Sequence, residues 1–245
     1  MATMDDRYQA ARDFLDQVYP SPPQPHKDKP WITLTYAQSL DGMIAKHGQQ
    51  LLLSGPESMA MTHRLRLLHD AILVGISTVL VDNPQLNARH APAADIETYG
   101  QPQPIVLDTR LDMPLDCKLI TNYRTGVSNK QPWVVTSKAA DASKLQALEK
   151  AGAHVIQMED EGRPDFGKVF KVLRQQYKIE RVMVEGGARV IQSCQPYADE
   201  IIETTAPVTV GSEGLPASRD QTQQLVNIHQ CQFGNDKVFA AQCLR

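Results

Sequence analysis

Short apolar segments alternate with segments of helical periodicity along most of this chain. Residues 31–39 (WITLTYAQS) and 71–75 (AILVG) are rich in β-branched, aromatic and other apolar residues, as is typical of strands. Residues 56–70 between them carry apolar side chains at helical spacing, at Met61, Leu65 and Leu68. Further strands are predicted at 104–108, 132–137, 154–158 and 181–187, and further helices at 143–152 and 165–177.

This order of elements predicts an α/β fold. Strands that alternate with helices of about 10 to 15 residues form a mostly parallel central sheet flanked by helices. From Asp199 onward the chain is β-rich instead, and residues 225–233 and 237–244 enclose the turn Gly234-Asn235-Asp236. Two strands joined by such a turn predict a C-terminal antiparallel hairpin at one edge of the sheet.

The N-terminal residues differ in composition from the rest of the chain. Residues 6–18 predict an amphipathic helix with Phe14, Leu15 and Val18 on its apolar side. The Pro-rich stretch at 20–30 excludes regular structure, which predicts a linker or a strap across the surface. We therefore divide the chain into an N-terminal helix and strap, 1–29, and a single α/β domain, 30–245.

Charge and motifs argue against several classes of function. A net charge of −3 over 245 residues gives no reason to expect nucleic acid or an anionic membrane as a partner. The four cysteines have no C-x-x-C spacing, and H-x-E, H-E-x-x-H and P-C-x-x-C are absent, so no metal site is predicted. No G-x-S-x-G indicates a serine hydrolase. Because no apolar run approaches about 18 residues and no signal peptide is visible, we expect a cytoplasmic protein.

The glycine pair that follows the strand at 181–185 is the first candidate ligand site. Parallel sheets bind ligands beyond the carboxyl ends of their strands, and here Gly186-Gly187 leads into an apolar helical stretch. Glycines allow close approach of the backbone, and free N–H groups at a helix start attract anions such as a dinucleotide pyrophosphate. A tight turn without a ligand explains the glycines equally well, and G-x-G-x-x-G is absent.

A second candidate region surrounds the connection after the strand at 71–75. Thr78 and Asp82 are one helical turn apart, so both could face one ligand, although Thr78 could instead cap that turn. Arg66 and Arg89 are suited to hold a phosphate, because forked guanidinium groups match its oxygens. The alternative for Arg66 is a solvated surface position, because it lies off the apolar stripe of its helix.

Five segments occur here in an order that resembles a known family. They are TYAQSLDGMIA, RLRLLHDAILVG, STVLVDNPQLNAR, PIVLD and VMVEGGARVIQS. Over residues 30–245 the chain resembles the riboflavin-pathway reductases, which comprise stand-alone fungal and archaeal diaminopyrimidine reductases and the reductase half of the bacterial deaminase-reductase. The resemblance implies a dihydrofolate-reductase-like fold, a reductase domain at 30–245, NADPH as cofactor and a homodimer.

The resemblance also implies roles for individual residues. The NADPH contacts would be Thr78, Asp82, Pro164, Gly187, Ala188, Arg189, Val190 and Ile191. The ribose phosphate of the substrate would contact Arg66, Leu86 and Arg89, with Glu185 beside the reacting sugar. Either Glu185 or Asp82 could steady a cationic iminium as the catalytic group, and neither is assigned as a proton donor. Thr136-Ser137-Lys138 is a candidate contact of the 2′-phosphate, with a helix cap as the alternative.

The implied substrate is a phosphorylated ribosylamino-pyrimidine. The chain is most similar to the fungal version, which reduces 2,5-diamino-6-ribosylamino-4(3H)-pyrimidinone 5′-phosphate to the ribitylamino compound by hydride transfer to C1′ of the ring-opened ribosylamine. Where bacterial members carry a Trp, this chain has Gln50-Leu51-Leu52-Leu53, so a ring contact at that point is not expected.

Three alternative functions are compatible with these motifs. The chain could reduce the deaminated 5-amino-6-ribosylaminouracil phosphate, it could be a dihydrofolate reductase, or it could be a non-catalytic nucleotide-binding protein. A pteridine pocket would leave Arg66 and Arg89 without an obvious ligand, and a binding protein would not need Glu185 and Asp82 beside them. The choice of pyrimidine is not encoded in any motif.

Overall fold

The computed structural model describes residues 3–46, 49, 51–217 and 222–244. The helices are α1 (Met4–Val18), α2 (Pro56–Leu67), α3 (Ile76–Asp82), α4 (Ala93–Tyr99), α5 (Lys118–Arg124), α6 (Ala142–Ala151), α7 (Phe166–Gln175) and α8 (Ala188–Cys194). The strands are β1 (Trp31–Gln38), β2 (Met43–Lys46), β3 (Ala71–Gly75), β4 (Gln103–Leu107), β5 (Trp133–Thr136), β6 (His154–Gln157), β7 (Arg181–Gly186), β8 (Glu200–Thr205), β9 (Gly214–Pro216), β10 (Leu225–Phe233) and β11 (Asp236–Cys243).

Nine of these strands form one mixed sheet in the order β10-β11-β8-β1-β7-β3-β4-β5-β6. From β8 to β6 every neighbouring pair is parallel, whereas β11 and β10 continue from β8 as an antiparallel hairpin. The predicted α/β class, the mostly parallel sheet and the C-terminal hairpin are therefore confirmed. The small antiparallel sheet of β2 and β9 was not predicted, because β9 has only three residues and no alternating pattern.

The sheet is covered on both faces. Neighbouring residues of β3 enter different clusters: Leu73 packs with Phe170 of α7 and Val190 of α8, whereas Ile72 packs with Ile120 of α5. All five residues of β3 are buried, as expected for a parallel strand with helices on either side. A central strand covered in this way holds its carboxyl end in a fixed position.

The N-terminal helix α1 packs against α2 and the C-terminal hairpin. Thr3 and Asp6 form a reciprocal capping box at its start, so the helix begins at Met4 rather than at the predicted Asp6. Phe14 meets the ring of Phe233 edge to face, with 5.6 Å between centroids. Burial of a phenylalanine stabilises a fold by about 2–3 kcal/mol, so this contact makes α1 part of the core.

The Pro-rich segment after α1 follows the surface without regular structure. Asp199 holds its end, since this carboxylate accepts hydrogen bonds from Lys29 Nζ at 2.5 Å and from the backbone N–H of Ile32 at 2.9 Å. His26 Nε2 lies 2.8 Å from the other oxygen of Asp199.

Helix α2 is buried almost all round, which the sequence pattern did not indicate. Helix α1 covers one side of it, α4 approaches another, and Met61 and Leu65 face Met183 and Ile202 of the sheet. Arg66 is consequently only 8% exposed. The alternative of a solvated surface position for Arg66 is therefore wrong. The apolar stripe of the sequence predicts that α2 buries one face, whereas in the structure its neighbours bury several.

Candidate active site

The connections that follow β3 and β7 are packed directly against each other. The two strands are parallel neighbours, with Leu73 opposite Val184. A Cβ atom on Gly75 would lie only 2.7 Å from Cγ2 of Val190, and one on Gly187 would lie 3.3 Å from Oγ1 of Thr78. Glycine at position 75 is thus required for the close approach of α3 and α8. The sequence-predicted Thr78 and Gly187 meet at this point.

Helix α3 carries two of the predicted cofactor contacts on one side. Gly75 is its N-cap residue, so Thr78 lies inside the helix and the capping interpretation of Thr78 is wrong. Asp82 is one turn further on, and burial raises the pKa of its carboxyl. The helix ends at Asn83, which adopts a left-handed conformation with φ of 42°.

Arg66 of α2 forms a two-point ion pair with Glu185, which lies in β7 just before the second of these connections. Nε and Nη2 of Arg66 each donate to a different carboxylate oxygen of Glu185 at 2.7 Å, and Nη1 donates to the carbonyl of Asn87 at 2.8 Å. Only 10% of the Arg66 side chain and 13% of the Glu185 side chain are exposed. The pair is therefore largely removed from water, where such bonds are stronger than at a surface.

The loop between α3 and α4 presents Arg89. Four bonds fix its backbone: Arg66 binds the carbonyl of Asn87, the side chain of Gln101 binds both the N–H and the carbonyl of Ala88, and Nδ1 of His63 accepts from the N–H of Arg89 at 3.1 Å. The guanidinium group of Arg89 has no carboxylate partner among the described residues. Its Nη1 atom lies 3.4 Å from Oδ1 of Asn87.

The charges around this loop favour an anionic ligand. Burial and the neighbouring Arg66 lower the pKa of Arg89, although Glu185 opposes that effect. Burial, reinforced by both arginines, lowers the pKa of His63 to about 2, so this histidine is neutral. The same causes lower the pKa of His90. A bound anion would relieve the repulsion between Arg66 and Arg89.

The predicted cofactor residues at the start of α8 differ in what they can offer. Gly187 is the N-cap residue, and the first N–H groups of any helix have no partner within the helix. Val190 and Ile191 are only 5% and 2% exposed and pack in the core, and their N–H groups already donate to the carbonyl of Gly187 at 2.8 and 3.0 Å. Leu86 is likewise buried, with φ of 49°. Arg189 is exposed.

Two other predicted segments follow different strands or loops. Pro164 is buried immediately before Asp165, the N-cap residue of α7. Thr136 and Ser137 are buried and both donate to the carbonyl of Thr109, at 3.1 and 3.3 Å. Asp141 caps α6, so the helix-cap interpretation of residues 136–138 is wrong. Gln50, one of the residues that replace the bacterial Trp, lies outside the described residues.

Sequence reasoning missed the residues that brace the site. His63 and Gln101 fix the Arg89 loop. In the separate loop after β1, Asp41 accepts from the N–H groups of Val210 and Gly211 at 3.0 and 2.7 Å. The hydrogen bond from the hydroxyl of Ser39, together with these two backbone bonds, lowers the pKa of Asp41 to about 2. Such partners are distant in sequence. The only available signal was the position of Asp41 in the S-L-D-G segment.

Comparisons with known proteins identify the family. The sequence profile of the RibD C-terminal domain matches residues 30–239. The 2,5-diamino-6-ribosylamino-4(3H)-pyrimidinone 5′-phosphate reductases of Eremothecium gossypii and Saccharomyces cerevisiae are 33% and 34% identical over 239 and 235 residues. Each alignment covers 94% of this chain, and 95% and 93% of the relative, respectively. The chain belongs to the RibD C-terminal reductase-domain family, as its motifs predicted.

Solved structures confirm the fold expected from that resemblance. A riboflavin biosynthesis reductase of Saccharomyces cerevisiae superposes with a TM-score of 0.74 at 28% identity, covering 96% of this chain and 100% of that chain. Dihydrofolate reductase of Enterococcus faecalis superposes with a TM-score of 0.51 at 14% identity, covering 88% and 97%. The fold is therefore dihydrofolate-reductase-like. No helix in the described part of the chain is both long and apolar enough to cross a membrane.

Proposed function

We propose that this protein is an NADPH-dependent reductase that converts 2,5-diamino-6-ribosylamino-4(3H)-pyrimidinone 5′-phosphate to its ribitylamino product. The proposal rests on one arrangement: the Arg66–Glu185 pair and the guanidinium of Arg89, which has no carboxylate partner in the described chain, lie beside the glycine connection after β7. The curated relatives of Eremothecium gossypii and Saccharomyces cerevisiae bear the name of this reductase. Arg89 could bind a phosphate group while the carboxylate of Glu185 is held in place nearby, and this combination suits a substrate with a sugar phosphate.

The residues present fit a dinucleotide phosphate. Gly187 leaves open a space that a side chain would fill, and its amide and those of Ala188 and Arg189 open α8. Thr78 Oγ1 borders the same space, and Asp82 follows it by one turn. Bound NADPH would supply a hydride, and the protein supplies position and charge. We assign no contact of the 2′-phosphate to Thr136 or Ser137, because both hydroxyls already donate to Thr109.

The substrate contacts divide between two arginines with different partners. Arg66 binds Glu185 through Nε and Nη2 and the carbonyl of Asn87 through Nη1, so we propose that it mainly fixes the direction of the carboxylate. Arg89 is available for the ribose phosphate, with the backbone of Leu86 in the same loop. Glu185 then lies beside the sugar as an acceptor, where it could steady the positive charge that develops on the ring-opened ribosylamine.

Turnover of the diamino substrate tests this proposal directly. We expect stoichiometric oxidation of NADPH with 2,5-diamino-6-ribosylamino-4(3H)-pyrimidinone 5′-phosphate and a product heavier by two hydrogen atoms in mass spectrometry. The deaminated uracil analogue, assayed in parallel, should have a lower kcat/KM. Oxidation with the deaminated compound alone would assign that substrate instead, and oxidation with neither would contradict the proposed reaction.

We also propose a cytosolic homodimer. The edge strand β10 pairs on its outer side with no described strand of the single chain, and it exposes Val226 and Ile228 by 37% and 55%. Unpaired apolar edges of this kind favour association. Light scattering coupled to gel filtration should give twice the mass of the chain, and a monomer at micromolar concentration would contradict the dimer.

A further inference from the structure

A cavity of about 580 Å3 lies at the opposite end of the sheet from the candidate active site. Its lining includes residues at or just before the amino ends of four parallel strands: Asp70 before β3, Gln103 of β4, Trp133 of β5 and Arg181 of β7. Strand β3 runs from this cavity to Gly75, and five residues rise by roughly 16 Å. The cavity is therefore separate from the proposed cofactor and substrate site.

Rigid aromatic and apolar groups form much of the wall. Tyr99 is held by Arg64, whose Nη2 donates to its hydroxyl at 3.0 Å and whose Cζ lies 4.4 Å from its ring centroid. The ring of Trp133 packs on Tyr177 with 4.7 Å between centroids. Tyr19 is held by a hydrogen bond to Glu200. Side chains fixed in this way keep their orientation when a planar molecule enters, so little entropy is lost on binding.

Most of the polar groups in the lining already have protein partners. Both ring nitrogens of His69 are within 2.9 Å of an oxygen, and Asp70 accepts from Arg181 at 3.0 Å as well as from two backbone N–H groups. Gln103 donates to the carbonyl of Gln131 at 2.5 Å. These groups therefore shape the cavity and do not require a ligand.

Asp16 of α1 also lines the cavity, where it is exposed and has no described partner, but among the cations in the described part of the wall the exception is Lys130. It is half-buried at the start of the segment that leads into β5, and its ammonium group forms no ion pair with any described carboxylate. Arg64 and Arg181, the two arginines of the lining, are paired with Asp95 and Asp70. A half-buried ammonium without a carboxylate partner favours an anionic group on the ligand, and aromatic residues line the same cavity.

The N-terminal strap closes the outer side of the cavity. Residues 20–23 (PSPP) form this part of the wall, and Ser21 and Pro22 are exposed on its outer surface. Prolines restrict the backbone, so the strap has little freedom to collapse inward. A cavity of this volume lies within the range of about 300–1,000 Å3 that is common for small-molecule sites.

We propose that this cavity is a second binding site, for a small molecule that combines a planar aromatic ring with one anionic group. The ring would lie among Tyr19, Tyr99 and Trp133, and the anion would meet Lys130. The proposal does not depend on the proposed reaction, because none of the residues proposed to contact cofactor or substrate lines the cavity.

Anilinonaphthalene sulfonate is a suitable probe, because it carries both features on one scaffold. Isothermal titration should show one saturable site per chain that persists in excess NADPH. Lys130→Met should raise the dissociation constant of this probe by at least about tenfold, the loss expected for one charge-assisted hydrogen bond. Phenylnaphthylamine, the same ring system without the sulfonate, should bind the parent and Lys130→Met equally.

Lys150→Met, a change at an exposed lysine of α6, is the matched control and should bind both probes as the parent does.

Pro23→Trp provides the second test, because Pro23 is the half-buried residue of the strap in the cavity wall, so an indole there can fill the cavity without altering the core. We expect it to abolish binding of both probes while NADPH binding and the thermal unfolding midpoint stay at parent values. Displacement of the sulfonate by NADPH would overturn the proposal, since it would place the probe at the candidate active site. Unchanged binding of the sulfonate in either Lys130→Met or Pro23→Trp would overturn it as well.

Discussion

Arg66 and Glu185 lie 119 positions apart in the chain, yet they form a two-point ion pair with both N–O distances at 2.7 Å. One comes from α2 and the other from the end of β7, so the pair fixes a helix to the strand that leads into the candidate active site. Both side chains are largely buried, and loss of one partner would leave an uncompensated charge.

We therefore expect Glu185→Gln to lower the free energy of unfolding by about 3 kcal/mol, because Arg66 would remain buried beside a neutral amide. The double variant Arg66→Met with Glu185→Gln should lose less than the sum of the two single losses. Urea unfolding of the four proteins measures this coupling. Arg110→Met, at a side chain that is 83% exposed, is the control and should change stability by less than about 0.5 kcal/mol. Additive losses would show that the pair contributes no coupling energy.

Gly187→Asp should raise the dissociation constant of NADPH by at least about tenfold. A carboxylate there would meet the pyrophosphate, and its Cβ would lie 3.3 Å from Oγ1 of Thr78. Gly187→Asn has nearly the same size without the charge and should cost much less affinity. Both variants place the same Cβ against Thr78, so the steric cost is common to them and the difference in affinity reports the charge. Fluorescence titration with NADPH gives the constants, and an unaltered value for Gly187→Asp would remove this connection from the cofactor site.

Arg89→Ala should weaken the binding of substrate far more than the binding of cofactor. The guanidinium has no described carboxylate partner, so its removal costs the phosphate contact and little structure. We expect KM for the pyrimidine substrate to rise at least about tenfold while the NADPH dissociation constant stays within about twofold. Arg110→Ala is the exposed control. Equal losses for both ligands would mean that Arg89 only holds its loop.

His63→Leu tests whether the loop that carries Arg89 needs its brace. The change removes the acceptor of the Arg89 N–H, and because this bond is only partly buried its loss should cost about 1 kcal/mol. We expect KM for the substrate to rise while kcat falls less, because the arginine is present but less well placed. His63→Gln, which offers an amide oxygen to the same N–H, should recover part of the loss. A parent-like KM in the His63→Leu enzyme would show that the bond does not position Arg89.

Glu200 should make stability depend on pH. This carboxyl is 1% exposed at the start of β8, and burial raises its pKa to about 7, an effect that hydrogen bonds from Tyr19 and Thr33 only partly oppose. A pKa raised on folding favours the native state when the group is protonated. That contribution is complete below the unfolded value of 4.5 and is lost as pH rises through about 7.

Glu200→Gln mimics the protonated form at every pH. Between pH 5 and pH 8 the parent should therefore lose stability relative to this variant, by an amount on the order of 3 kcal/mol. Other titrating groups, such as the buried His69, affect both proteins alike and cancel in the difference. Glu149→Gln, at an exposed carboxylate of α6, should show no such change. A pH-independent difference for Glu200→Gln would contradict the raised pKa.

Much of the fold could be predicted because its elements carry local signals. Gly152, with φ of 109°, is the C-cap residue of α6, and a glycine there is a common signal for the end of a helix. Asp165 is the N-cap residue of α7, and an aspartate before a helical apolar pattern is a common signal for the start of one. The C-terminal hairpin was marked by Gly234-Asn235 between two β-rich runs. Strand β9 and the burial of α2 were not predictable in this way, since each depends on contacts with distant segments.

In the candidate site, too, features with a local sequence signal could be predicted and features that depend on distant residues could not. The glycine connection and the two arginines could be selected from motifs, because phosphate recognition needs those residue types. The partner of Arg66 could not be read from spacing, since Glu185 belongs to a strand far along the chain from α2. The braces from His63 and Gln101 also arise only in three dimensions.

The position of the cofactor is the central claim, and a crystal structure with bound NADPH tests it most directly. We predict the pyrophosphate at the amides of Gly187, Ala188 and Arg189, with Thr78 and Asp82 along one side and Glu185 near the nicotinamide end. A dinucleotide lodged at the amino ends of the strands, or anywhere that leaves the Gly187 connection empty, would contradict this account.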